Sequence, residues 1–423
     1  MNRLPYFCLA VIAVLCAPDA RLAAAQNAPA ESVSQDRSAQ ARTGLPVHSD
    51  EPGVWQRTFT WLGDKMRDGS DKANDGLYPR LGGMIPGAGW FSAGPGYRHH
   101  LFRDAAVMDV SAAMSSRRYS MMQSRIEWPA LFSSHLSIGA DARYQDFTQI
   151  NYFGVGPDSD KSAQTNYRSK SIDIAGSATV RPTDWLSFGG GVGYIRGLHI
   201  TPGLSAIHRA THDVFDDTTA PGLSVQPRYG HADVFVEADT RDKPGYPAAG
   251  GLYRLGLTTF HDLEGSGQSF RRVDADAAHY VPLFRRNWIV AVRGHVALSQ
   301  TGAGNEVPFY LMPTLGGGNT LRGYGDYRFR DRNAASVGAE YRVPVFRMMD
   351  AALFADAGSV APKASGLWRE RPEHDYGFGV RFHTATRSVA RIDVAKGREG
   401  NRVSLSLTTL LGRSGRNVLP YVP

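Results

Sequence analysis

Two cysteines are all that this 423-residue chain contains, Cys8 and Cys16, and both stand at its very beginning. They fall in a segment expected to be removed, so the mature chain has no means of forming disulfides, zinc–thiolate sites or cysteine nucleophiles. Past residue 25 no apolar run approaches the roughly 18 residues that a membrane-crossing helix needs, which excludes a helical membrane protein. Lys and Arg do not gather into a stripe, so no nucleic-acid partner is expected. No G-x-S-x-G elbow is present, and Gly87-Ala88-Gly89 does not open a strand–helix nucleotide unit. His208 and His212 have i, i+4 spacing but sit in a Pro/Gly/Asp-rich loop. They read as solvated loop histidines rather than a metal site, and His99-His100 at a strand end is similar. No catalytic residue, metal or cofactor is expected, and no enzyme.

What is present begins with an export signal. Arg3 gives a positive start, Phe7 to Ala17 is a short apolar run, and Ala23-Ala24-Ala25 supplies small residues before Gln26. That is the pattern of a signal peptide over residues 1–25, cut after Ala25. Leu15 is too large to precede a lipidated Cys16. The formal charge of +7 becomes +6 once Arg3, Arg21 and Asp19 leave (7 − 2 + 1). Residues 26–76 read as a leader, Ala/Ser/Gln/Pro-rich at first. Within it Trp55, Phe59, Leu62 and Met66 share one helical face, as a short helix against the periplasmic rim or an interfacial membrane helix.

From about residue 77 to 423 the period is two. Ile172, Ile174, Ala178 and Val180 alternate with Asp173, Ser177 and Thr179; Tyr376, Phe378, Val380 and Phe382 alternate with Arg381 and His383. Dyads about ten residues long, in a chain with 46 Gly, 18 Tyr and 19 Phe, are the pattern of a membrane barrel. The expected fold is all-β: a transmembrane antiparallel β-barrel of about 16 strands with a short N-terminal helix. Strands are expected near 77–86, 89–100, 105–114, 117–128, 132–147, 166–180, 184–200 and 226–239. The remainder are 250–262, 268–280, 287–300, 334–343, 350–358, 374–384, 388–396 and 401–411. Short turns are expected at Trp128-Pro129, Arg181 to Asp184, Pro282 to Arg286, Val343-Pro344 and Thr384 to Thr386. Long loops then fall near 148–165, 201–224, 301–333 and 359–373, all on one side of the membrane, as an even-stranded barrel requires.

The most informative stretch is Leu315-Gly316-Gly317-Gly318-Asn319-Thr320-Leu321-Arg322-Gly323-Tyr324 within a long loop. Ala339-Glu340-Tyr341-Arg342 follows on a strand, and then Leu353-Phe354-Ala355-Asp356-Ala357-Gly358. Together these resemble the BamA/TamA superfamily of outer-membrane assembly and translocation barrels. The likeness extends to Tyr152 through Asp158, Arg241-Asp242 with Pro247, and Arg391-Ile392-Asp393-Val394-Ala395. The resemblance implies that Arg322-Gly323-Tyr324 is a loop tip folded into the lumen, with Asp356 as the carboxylate that receives the arginine. The alternative is an outer loop whose Arg322 is merely solvated. Period-two counting puts Phe354, Asp356 and Gly358 on one face, and Asp356 belongs in the lumen because lipid would exclude it. Glu340, Arg342, Arg381, Arg391 and Asp393 are the supporting lumen charges.

The chain thus reads as a short member of that family, without the periplasmic repeat modules that protein-inserting members carry. The resemblance implies a role in inserting or translocating proteins, or moving lipids, at the outer membrane of a Gram-negative bacterium. Outer-membrane lipids, lipopolysaccharide and unfolded outer-membrane or secreted clients would be its partners. The alternative is a structural or pore-forming barrel with no insertase activity. Leu77 to Gly89 holds Pro79, Gly82, Gly83, Pro86, Gly87 and Gly89, so a first strand here would pair weakly with the last one; otherwise the segment is coil entering the barrel.

Overall fold

The structure, a computed structural model, describes residues 75–407 apart from 83, 90, 133–134, 285–287, 370–371 and 385–386. The chain divides into a unit Met1–Thr58 and a unit Phe59–Pro423. The expected signal segment, the expected leader and helix up to residue 74, and the residues past Leu407 lie outside the described residues.

Sixteen strands form one antiparallel sheet in chain order, closing into a nearly complete barrel. They begin with β1 (Gly76–Gly82), β2 (Ser92–Leu101), β3 (Ala106–Ser115), β4 (Ser120–Leu131) and β5 (Leu136–Tyr152). Next come β6 (Thr165–Thr183), β7 (Leu186–Pro202), β8 (Tyr229–Asp239), β9 (Gly250–Asp262), β10 (Phe270–Leu283) and β11 (Trp288–Thr301). Among the described residues two short strands, β12 (Thr314–Leu315) and β13 (Phe329–Arg330), pair only with each other. The wall then resumes with β14 (Asn333–Phe346), β15 (Met349–Ala361), β16 (Glu373–His383), β17 (Ser388–Gly397) and β18 (Gly400–Leu407). Among the described residues no rung joins β1 to β18.

The alternation has the polarity of a membrane barrel, with apolar side chains outside and charges inside. On β15, Leu353 is 62% exposed while Asp356 is 2% exposed. Val192, Val234, Tyr376 and Phe378 continue the outer band, and Asp173, Arg381 and Asp393 are buried within. Among the described residues no helix is long and apolar enough to cross a membrane; strands do the crossing.

Four turns lie later than the sequence suggests, always for the same reason. Trp128-Pro129, Arg181 to Thr183, Pro282 and Val343-Pro344 are not turns but strand ends. Leu131 pairs with Leu136, Thr183 with Leu186, Leu283 with Trp288, and Phe346 with Met349. Proline cannot donate to a ladder, and at three of these sites a register shift absorbs it, between Trp128 and Leu131, between Val180 and Thr183, and between Pro344 and Phe346. The first strand is also shorter than 77–86. It ends at Gly82, and the chain turns inward so that Ala88 is buried and Tyr327 Oη donates to the Pro86 carbonyl (2.6 Å).

That contact belongs to a plug at the long-loop end. Tyr152, Tyr167, Phe309, Tyr310, Leu311, Met312 and Tyr327 are buried together in one apolar cluster. Phe309 N donates to the Pro221 carbonyl (2.8 Å), tying the β7–β8 loop to the β11–β12 segment. Apolar loop residues therefore form a core inside one mouth of the barrel rather than a solvated fringe.

The wall should fold only in detergent or lipid and migrate faster when unheated. Leu353→Arg on its outer face should cost about 2–4 kcal/mol near the bilayer midplane, read from urea unfolding in bilayers. Unchanged stability would mean that this face does not meet lipid.

Candidate functional site

The segment between β11 and β14 does not leave the barrel; it turns back into the lumen. Thr314 pairs with Arg330 and Leu315 with Phe329, making a two-rung neck. Beyond it Gly316 (φ +113°) and Gly317 (φ +90°) take backbone conformations that side chains rarely adopt. Gly316 N donates to Thr320 Oγ1 (2.9 Å) and Gly317 N to the Tyr324 carbonyl (3.2 Å), so the tip is compact.

At the tip Gly323 lies flat on the wall. A Cβ there would come within 2.7 Å of Asp375 Cβ on β16 and 2.8 Å of the Gly397 backbone N on β17. Only glycine permits this approach. It brings Arg322 and Tyr324, each 1% exposed, to opposite sides of the same patch.

Arg322 meets Asp356 with a two-pronged contact: Nε donates to Oδ2 (2.6 Å) and Nη2 to Oδ1 (3.0 Å). Its Nη1 donates to Glu340 Oε2 (2.7 Å), and the guanidinium lies 3.5 Å from the Phe354 ring centroid. Planar fork geometry and a ring face are uses to which arginine, and not lysine, is suited. Burial alone would lower the arginine's pKa, but the bonds and charges of Asp356 and Glu340 outweigh it and raise the value.

The charges continue around the wall. Glu340 also accepts from Arg381 Nη2 (2.6 Å) and Nε (3.0 Å), and Arg381 Nη1 donates to Asp393 Oδ1 (2.6 Å). Arg391 lies 3.1 Å from Asp393 and returns to the loop by donating to the Gly318 carbonyl (2.5 Å). The structure thus brings Arg322 and Gly323 of the loop together with Glu340, Asp356, Arg381, Arg391 and Asp393 of β14 to β17. Tyr324 sits beside it, donating to Glu373 Oε2 (2.5 Å) and packing on Phe329. Arg342 does not join them. Its Nη2 donates to the Pro247 carbonyl (2.6 Å) in the β8–β9 turn.

Several participants were missed by the sequence reading. Arg293 on β11 donates to Asp356 Oδ1 (3.0 Å), and its lumen parity between Val292 and Gly294 was a usable signal. Arg402 donates to the Tyr324 carbonyl and to Asp326 Oδ1 (2.9 Å), holding the loop to β18. Arg330, wholly buried, anchors the loop's root: Nη1 donates to the Phe309 carbonyl (2.6 Å) and Tyr167 Oη (3.1 Å). Nothing in the residue pattern separates Arg330 from the neighbouring Arg328 and Arg332.

A glycine-tipped loop is thus pinned to the inner wall of a barrel of sixteen antiparallel strands. The Omp85 superfamily domain model matches residues 104–404. The chain belongs to the Omp85 superfamily. This Omp85 barrel is similar to the crystal structure of BamA from Haemophilus ducreyi lacking POTRA domains 1–3, at 16% identity and a TM-score of 0.57. That match covers 79% of this chain and 69% of the other. It is also similar to CdiB from Escherichia coli, at 10% identity and a TM-score of 0.51, over 79% of this chain and 60% of that one. At such identities the likeness is one of fold. Family and fold place this Omp85 protein in the outer membrane of a Gram-negative bacterium.

Arg322→Ala and Asp356→Ala should each destabilise the Omp85 loop's inward position by roughly 3–5 kcal/mol, the cost of stranding one member of a buried pair. The double variant should be little worse than either, because the interaction is lost only once. Protease cleavage within 302–332 measures it; fully additive effects would show that the two side chains are not coupled.

Proposed function

We propose that this barrel assists the insertion or translocation of proteins at the outer membrane, with the Arg322-Gly323-Tyr324 tip serving as the lock on its wall. The observation that carries the reading is the buried contact of Arg322 with Asp356 and Glu340 inside an Omp85 barrel. A loop needed only for binding outside the cell would have no reason to bury an arginine against the strands of the wall. The strands it grips, β14 to β17, and Arg402 on β18 lie beside one end of the sheet order. In this reading the lock sets the shape of that edge.

The mechanism follows from strand chemistry. A strand edge with unmade hydrogen bonds can template an incoming strand. β1 is a poor partner for closing the barrel: it is seven residues long and includes Pro79, which faces Pro95 of β2. Opening between β1 and β18 would expose β18 to a client, while the lock keeps the neighbouring strands in register. Outer-membrane lipids and lipopolysaccharide would surround the outer face, and unfolded outer-membrane or secreted proteins would be the clients.

Depleting the protein and comparing outer-membrane proteomes tests this reading. Loss of other barrels or of secreted proteins is expected; a change in small-solute permeability alone would replace it with a structural or pore-forming barrel. Cysteine pairs set across β1 and β18 should crosslink, with no native cysteine after Cys16 to compete, and should impair activity. Efficient crosslinking with full activity would rule out opening at this seam.

A further inference from the structure

The opposite mouth of the barrel carries a feature that the lock does not explain. The turn between β8 and β9 is the long exception among the short-turn connections, and it does not hang free. Its base is rigid: Arg241 grips Asp239 through Nε (2.8 Å) and Nη2 (2.7 Å), and Asp242 Oδ1 accepts from Ala248 N (2.9 Å) and Ala249 N (3.1 Å). Its crest reaches the far wall. Tyr246 Oη donates to Asp350 Oδ2 (2.5 Å), and the tyrosine ring stacks on His383 with centroids 4.2 Å apart and planes 11° apart. Arg342 covers the same ring at 4.6 Å while donating to the Pro247 carbonyl, and Ser388 N donates to the Gly245 carbonyl (3.0 Å).

The strand order gives these contacts their meaning. From β9 the wall runs β10, β11, β14, β15, β16, β17. Asp350 on β15 is four strands away from β9, His383 on β16 is five, and Ser388 on β17 is six. Neighbouring strands are about 4.8 Å apart, so a turn that skips β10 and β11 to touch all three must cross the opening rather than follow the rim. Short connections mark the periplasmic end of such barrels.

We infer that residues 240–249 form a strap across the periplasmic mouth, latched by Tyr246 in a socket of Arg342, Asp350 and His383. A chain or solute entering the lumen from the periplasm has to unlatch it. The socket residues lie on the same strands that carry Glu340, Asp356 and Arg381. Latch and lock therefore grip one section of wall from its two ends. The role assigned to the strap as an entry gate rests on the function proposed above; its position and opening do not.

The test uses the full chain carrying Cys8→Ser and Cys16→Ser, folded in detergent, with its one thiol from Asp276→Cys on the lumen face of β10. A maleimide polyethylene glycol reaches that thiol through the periplasmic mouth, since the apolar plug fills the other. Tyr246→Ala should raise the labelling rate about tenfold, because a bond to a carboxylate and a cation–π contact are lost together. Tyr246→Phe keeps the stacked ring and should raise it about threefold. If Tyr246→Ala does not fold, replacing residues 241–250 by Asn-Gly keeps the β8–β9 register with a two-residue hairpin too short to reach β15, and should label as fast. Rates equal to the parent's in the folded variants would overturn the strap. Faster labelling with no effect of the same variants on clients would leave the strap standing and remove its role as an entry gate.

Discussion

A barrel wall built of sixteen alternating strands has an interior wide enough to need filling, and the charge of one arginine decides how it is filled. Arg322 has left water altogether, and a bare guanidinium in such a place would be prohibitively costly. Asp356, Glu340 and the Phe354 ring between them satisfy its fork and its face. The rest of the inner surface follows from that requirement. Glu340 is shared with Arg381, Arg381 leads to Asp393, and Arg391 leads back to the loop backbone at Gly318. Removing the loop would leave carboxylates crowded on adjacent strands, so loop and wall stabilise each other.

The lumen is organised in three tiers. Aromatic and aliphatic loop residues pack into a plug at one mouth, the charged lock occupies the wall of β14 to β17, and the β8–β9 turn crosses the other mouth. Each tier uses different chemistry suited to its place. The plug is apolar because several loops must bury one another there. The lock is ionic because strand faces turned from lipid can carry charge. The turn at the periplasmic end combines a stacked ring with three hydrogen bonds, from Tyr246 to Asp350, from Arg342 to the Pro247 carbonyl and from Ser388 N to the Gly245 carbonyl.

Much of this was legible in the residues. Period two gave sixteen strands, each within a few positions of its place in the structure, and the parity of Phe354, Asp356, Glu340 and Arg381 put their side chains inward. The turns were harder. Trp128-Pro129 and Val343-Pro344 look like chain reversals, yet the ladder passes them with a local register shift. A proline reports a missing donor, and a missing donor is tolerated at a bulge as well as in a turn.

The sequence by itself determined the class of fold, the face each strand turns to lipid, and the glycines that let a loop approach the wall. These are local properties: alternation, composition and backbone freedom are all set within a few residues. Tertiary structure alone decided the pairings. That Arg330 enters an aromatic box, that Arg402 holds Tyr324, and that Arg342 leaves the lock to hold Pro247 depend on residues 21 to 163 positions apart meeting across a lumen. An arginine's position along a strand shows only that it faces inward. Which carboxylate, carbonyl or ring it finds there depends on how the loops fold back and on the curvature that brings distant strands face to face.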